Sequence, residues 1–268
     1  MPIVLELEHA VAPEGVMDTV KIGSSDVSRF ILGSNSFSGF SGRGREGDLE
    51  TMHYWTCARI KDALREAESL GINTIIARGN RYMLRVLLEY WDEGGTIQWF
   101  GQSCPELGVP ERTLDRVAAA GAPACHIHGG YADRLLADGR AEELIPSVEH
   151  ARKLGLTIGL AGHRPDTFRW AEENLEVDYY MCSYYAGTRE PNQEHRRAMT
   201  ELIQSLSRPA IHYKVMAAGR NEPAEAFEYV ARSMRPQDAV CVGIYTKDKP
   251  DILREDVELL EQGLAART

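Results

Sequence analysis

Positive charge is in short supply in this 268-residue chain: 30 Lys and Arg stand against 40 Asp and Glu, a formal charge of −10. A nucleic-acid surface needs clustered excess cations, so that class of partner is excluded. Long apolar runs are lacking as well, and nothing approaches the roughly 18 uninterrupted apolar residues of a membrane span. The opening Met1-Pro-Ile-Val-Leu-Glu-Leu-Glu has neither the basic start nor the apolar centre of a signal peptide. Cysteine is limited to Cys57, Cys104, Cys125, Cys182 and Cys241, an odd and scattered set without a C-x-x-C. That pattern argues against a disulfide framework and for reduced thiols packed as small core hydrophobes. The expectation is a cytoplasmic protein with a small-molecule substrate and no nucleic acid or membrane as partner; homo-oligomerisation is left open.

What is present is ordinary globular material, 43% hydrophobic and 26% charged, enough to bury a sizeable core. After two strand-like runs at Val4–Leu7 and Val16–Ile22, apolar bursts alternate with amphipathic stretches. The bursts fall at Phe30–Gly33, Asn73–Ala77, Thr96–Gly101, Ala124–His128, Thr157–Ala161, Tyr179–Ser183, Ala210–Val215 and Ala239–Ile244. Between them the three-to-four-residue period predicts helices over His53–Leu70, Arg81–Asp92, Arg112–Ala120, Arg140–Leu154, Pro165–Asn174, Gln193–Leu206, Pro223–Met234 and Ile252–Leu264. Such alternation is the mark of an α/β protein, and eight strands at this spacing predict a closed (β/α)8 TIM barrel, for which about 250 residues is usual. No linker or low-complexity run divides the chain, so residues 1–268 are expected to form a single domain, with Ser34–Gly47 as a long loop at the barrel mouth.

Several segments, in order, resemble the aldo/keto reductase superfamily. Val20-Lys-Ile-Gly-Ser-Ser-Asp-Val-Ser-Arg-Phe-Ile-Leu-Gly33-Ser34 is similar to that family's opening turn and first strand, and the resemblance implies that the preceding hairpin closes the barrel floor. Ala124-Cys-His-Ile-His128-Gly-Gly resembles the fourth strand, which carries the family's active-site histidine at the position of His128. Lys153-Leu-Gly-Leu-Thr-Ile-Gly-Leu-Ala-Gly-His163-Arg-Pro-Asp-Thr and Ile211-His-Tyr-Lys-Val-Met-Ala-Ala-Gly-Arg220 resemble the fifth and seventh strands, and Val240-Cys-Val-Gly-Ile-Tyr the eighth. The departures are selective. The Asp that ends the family's second strand is missing from Thr74-Ile-Ile-Ala-Arg78-Gly-Asn-Arg-Tyr82, Tyr82 is out of register with the family's tyrosine, and the third-strand Lys falls at Gly101 or Gln102. Contacts to nicotinamide fall at Ala161-Gly162 and about Met181, leaving only Tyr213 to match, as the ring that would stack on the cofactor. The 2′-phosphate residue falls at Ile252, with Lys247, Lys249 and Arg254 nearby. NADP is thereby left without most of its contacts.

Barrel enzymes act at the C-terminal ends of their strands. Those ends here hold Asn35, Arg78, Gln102, Cys104, Glu106, His126, His128, His163, Ser183, Tyr184, His212, Lys214 and Arg220. His126-x-His128 puts two imidazoles on one side of a strand, and with His163 they could bind Zn or Mn, Glu106 or water completing the shell. Alternatively His128, with a reference pKa near 6.5, serves as acid/base, or a buried Lys214 does. Asn35, Arg78, Gln102, Glu106, Tyr184, His212 and Arg220 are the candidate substrate contacts, with catalysis assigned to His128, Lys214 and His126. Each also has a plainer reading, as a hydrogen-bonded structural residue or an anion holder. Three functions follow: a lyase or isomerase acting on a polar carbonyl or sugar-like compound, an NAD(P)-dependent oxidoreductase with an altered catalytic set, or a non-catalytic barrel used for binding.

Overall fold

A computed structural model describes residues 17–187 and 191–267; the expected strand at Val4–Leu7 lies outside the described residues. An antiparallel hairpin comes first, β1 (Thr19–Ile22) against β2 (Ser25–Ser28), with Ile22 opposite Ser25. Its second arm was not expected from the sequence, because Ser25-Asp-Val-Ser is too short and polar to stand out as a strand. Gly23 makes the turn at φ +58°, and a Cβ there would lie 2.3 Å from Thr157 Oγ1, so only glycine fits.

Eight parallel strands then close on themselves: β3 (Phe30–Gly33), β4 (Thr74–Arg78), β5 (Gln98–Gln102), β6 (Ala124–Ile127), β7 (Thr157–Gly162), β8 (Tyr179–Ser183), β9 (Ala210–Tyr213) and β10 (Ala239–Gly243). Closure is by β10 on β3, with Val240 opposite Phe30. The period-two alternation of strand side chains separates two cores. Ile31, Ile76, Phe100, Tyr179, Met181 and Ile211 fill the barrel interior, joined from the floor by Val20, Ile22 and Val27 of the hairpin. Alternate residues such as Leu32, Ile75, Trp99 and Tyr180 pack outward against the helices. Burying each such side chain contributes roughly 1.5–3 kcal/mol, so the barrel and its floor plug are held mainly by apolar packing.

The outer ring comprises α1 (Arg45–Tyr54), α2 (Cys57–Ser69), α3 (Arg81–Asp92), α4 (Pro110–Ala119), α5 (Gly129–Ala137), α6 (Ile145–Lys153), α7 (Pro165–Asn174), α8 (Gln193–Ser205), α9 (Pro223–Ser233) and α10 (Ile252–Ala265). Two differences from the sequence reading matter for the site. The expected loop at Ser34–Gly47 already turns helical at Arg45, so the helix expected over His53–Leu70 becomes α1 and α2, and Thr56 caps α2 by accepting the Arg59 N–H. The second difference is α5, which begins at Gly129-Gly130 directly after β6. Paired glycines disfavour a helix, yet a Cβ on Gly129 would stand 3.0 Å from His163 Cε1 and 3.1 Å from the Gly162 nitrogen. Close packing against β7 therefore selects glycine over helix propensity. Among the described residues no helix is long and apolar enough to cross a membrane.

Candidate active site

At the C-terminal end of the barrel the sequence-predicted residues divide into two groups. His126 is inside the barrel and wholly buried; Tyr179 Oη lies 3.4 Å from its Nδ1, and its Nε2 has no partner. Burial, with a smaller contribution from the neighbouring His128, lowers its pKa to about 3. His128 follows the strand at the N-cap position of α5; its N–H donates to Ser103 Oγ at 2.9 Å, and its Nδ1 is buried without a partner. Burial first, then the charges of His163, Arg78 and Lys214, bring its pKa down to about 4. The expectation of a histidine titrating near 6.5 is corrected: this imidazole is neutral at neutral pH and suited to hydrogen bonding a carbonyl oxygen.

A relay that the sequence did not reveal stands beside it. Asp133, in α5, accepts the His163 backbone N–H at 3.0 Å, the Thr167 hydroxyl at 2.7 Å and His163 Nδ1 at 2.8 Å. A carboxylate only accepts, so the proton sits on Nδ1 and leaves Nε2 to accept from Tyr213 Oη, 3.0 Å away. Burial holds the Tyr213 phenol above its usual range and the His163 imidazole below its own. Asp133 was overlooked because the sequence reading placed no helix over Gly129–Ala137; an acidic residue five positions after His128 was the available signal.

Lys214 follows β9 rather than belonging to it, with φ +59°, and Ala217 and Ala218 share the left-handed conformation at +45° and +57°. These are the only non-glycine residues at positive φ among the described residues. Each costs on the order of 1 kcal/mol, and strain of this kind gathers at functional sites. The turn half-buries the Lys214 amine 5.7 Å from the Tyr213 ring, and burial lowers its pKa to about 8, Asp133 opposing slightly. Lys214, Asn35 and Arg220 border a cavity of about 780 Å3 between the loops after β3, β9 and β10. Arg220 donates within it to the Ala217 and Gly42 carbonyls at 3.1 and 3.3 Å. Asp256 of α10 also lines this cavity, its carboxyl pushed up to about 7 by burial; sequence reasoning missed it.

Other expectations are not met. His212 and Tyr184 were expected to contact substrate, but both are fully buried outside the barrel wall, bonded to each other at 2.9 Å, with His212 Nε2 3.3 Å from Asp238. Adjacent strand residues face opposite sides, so Tyr213 at the mouth forces His212 outward. The metal set fails on geometry: His163 has both ring nitrogens committed, and among the described residues no three His, Cys, Asp or Glu side chains are arranged to hold an ion. The residues do not fit Zn or Mn. Arg78 pairs with Glu106 and stacks on Phe40, facing a separate aromatic cleft, while Gln102 ends β5 beside His126.

No known family model matches the sequence, and no curated protein matches it. Solved structures do. A protein from Pseudomonas aeruginosa assigned as an aldo-keto reductase is 20% identical, over 92% of this chain and 94% of its own, at a TM-score of 0.64. Glycerol dehydrogenase from Gluconobacter oxydans is 12% identical over 93% and 95%, at 0.51. Phospho-2-dehydro-3-deoxyheptonate aldolase from Thermotoga maritima is 13% identical over 93% and 74%, at 0.57. The fold is an aldo-keto-reductase-like (β/α)8 barrel. Likeness at this level concerns the scaffold alone, and the side chains must speak for chemistry. Ala161 and Met181, where the family's nicotinamide contacts would fall, are apolar and buried in the inner core, and Tyr213 Oη is engaged by His163. They do not fit a nicotinamide carboxamide, which needs polar partners.

Proposed function

We propose that this barrel is a non-redox enzyme, a lyase or isomerase acting on a small polar carbonyl compound through Lys214. The observation that carries the proposal is a half-buried amine held near pKa 8 beside a hydrogen-bonded Asp133–His163–Tyr213 relay. A desolvated lysine keeps a useful neutral fraction near physiological pH. Its lone pair adds to the carbonyl carbon while the C=O pair moves to oxygen, which takes up a proton; neutral His128 donates a hydrogen bond to that oxygen. Loss of water leaves an iminium ion. An adjacent C–H or C–C bond then breaks, its electron pair forming a carbon–carbon double bond while the C=N π pair moves onto the nitrogen, which gives an enamine. The departing proton goes to Tyr213 Oη as the phenol passes its own to His163 Nε2, and Asp133 stabilises the resulting imidazolium. Reprotonation and hydrolysis return product and amine.

The test is borohydride trapping across a panel of small ketones and aldehydes, from pyruvate to glyceraldehyde, with deuterium exchange at the α-carbon read by NMR. Wild type should give a reduced adduct mapping to Lys214 and measurable exchange; Lys214→Met should lose both, and His128→Ala should slow exchange by about 10²–10⁴-fold while remaining folded. Equal adduct yield in Lys214→Met, or full exchange in His128→Ala, would sink the assignment.

A second reading, an NAD(P)-dependent oxidoreductase with an altered catalytic set, draws on the cavity of about 780 Å3 bordered by Arg43 and Arg220. Quenching on titration with micromolar NADPH would favour it, and no binding at millimolar levels would remove it.

A further inference from the structure

Beside the Lys214 mouth lies a cleft of about 460 Å3 whose walls come from separate segments: Phe37 and Phe40 from the loop after β3, Trp55 between α1 and α2, and Tyr82 from α3. Its character is aromatic. Phe37 and Trp55 meet edge-to-face at 4.5 Å, and the Arg78 guanidinium lies 4.7 Å over the Phe40 ring. Phe40 is 51% exposed and Tyr82 41%, so large faces are open for stacking.

Polar groups in the cleft are mostly committed. Arg78 and Glu106 pair with each other, and Asn80 Oδ1 accepts the Met83 N–H at 2.9 Å to cap α3. Two buried atoms remain without partners, Ser38 Oγ and the Nε1 of Trp55, a residue only 3% exposed. A polyhydroxylated sugar would need a partner for nearly every hydroxyl it brings out of water, each one missed costing roughly 1–3 kcal/mol. A planar ring needs stacking faces and few polar contacts, which these walls provide. Arg78 joins the cleft to the chemistry, since its charge also bears on His128. Glu106, its partner, is more than half exposed and can yield to an incoming carboxylate.

We infer that this cleft is an aryl-binding subsite, so that the substrate is a carbonyl compound bearing an aromatic ring, its ring among Phe37, Phe40, Trp55 and Tyr82 and an anionic group on Arg78. The inference rests on the reading of the Lys214 mouth as a carbonyl site, and it replaces the sugar-like substrate that the sequence suggested.

Calorimetric titration of the whole protein with phenylpyruvate, pyruvate and D-ribose tests it. Phenylpyruvate should bind at least about tenfold more tightly than pyruvate, equivalent to about 1.4 kcal/mol, and both more tightly than ribose. In Phe40→Ala, which removes a half-exposed ring, the ratio between the keto acids should fall to about threefold or less. Trp55→Phe should retain most of the preference, which keeps the test valid if a truncation unfolds the protein. Equal affinities in wild type, an unchanged ratio in Phe40→Ala, tighter binding of ribose, or no binding of either keto acid at millimolar concentration overturns the subsite. Trapping separates the two ideas. A Lys214 adduct without an aryl preference removes the subsite alone, and an aryl preference without an adduct removes the lysine chemistry alone.

Discussion

His212 and Tyr213 are neighbours on one strand, yet each belongs to a different histidine–aspartate–tyrosine group with a different use. Outside the barrel wall, His212 takes Tyr184 on one nitrogen and Asp238 on the other. Asp238 is also held by the Ala210 N–H at 2.8 Å and by the Arg235 side chain at 2.9 and 3.0 Å. Burial alone would raise that carboxyl, but hydrogen bonds from His212 and Arg235 outweigh it and bring the pKa to about 2. At the mouth, Tyr213, His163 and Asp133 use the same residue types, but their neighbours are the half-buried Lys214 and a His128 with an unpartnered nitrogen. A closed network with every group matched holds structure together. An open one beside an amine near its titration point can move protons.

The contrast can be broken from either side. Asp238→Ala should have the largest effect on the fold, about 3–5 kcal/mol, because it strands Arg235 and His212 in a dry layer; urea denaturation reads this, and exchange activity per folded molecule should stay near wild type. A loss below about 1 kcal/mol would show that the outer network is not structural. Acid should act on the same site. The Asp238 pKa lies below its unfolded value, so its contribution is intact above about pH 4 and disappears as pH falls toward 2.

Asp133→Asn should do the opposite, lowering α-carbon exchange by up to about 10²–10⁴-fold, the size of a positioned acid–base contribution, with a smaller effect on stability. An unchanged rate with a large stability loss would place both networks in the same structural class. A change that leaves every residue in place sharpens the role of Lys214. Its neutral form grows as pH rises, so exchange should increase up to about tenfold per unit below pH 8 and level off above it. A rate flat from pH 6 to 9 would remove the free amine from the reaction.

Legibility in the sequence followed the range of the interactions involved. The eight strands were readable because each is a local apolar burst, and residues such as Ile76, Phe100 and Ile211 belong to a core whatever they meet. Lys214 and His128 were readable as candidates because strand ends face a barrel's mouth. Asp133 was hidden because Gly129-Gly130 looks like a loop until β7 is packed against it. His212 was misplaced because alternation states that neighbours diverge, not which of them faces inward. The aromatic cleft was invisible because its four rings come from three separate segments that only the packing of the barrel mouth brings together.

Sequence alone therefore determined the barrel, since period, turn residues and strand count are properties of short segments that act everywhere in the same way. Only the tertiary structure decided which histidine is spent on stability and which is free. It also decided that three candidate metal ligands do not converge, and that burial leaves one lysine near its titration point. Those outcomes depend on which atoms meet across the barrel and on how much water is left between them, quantities that a linear pattern does not carry.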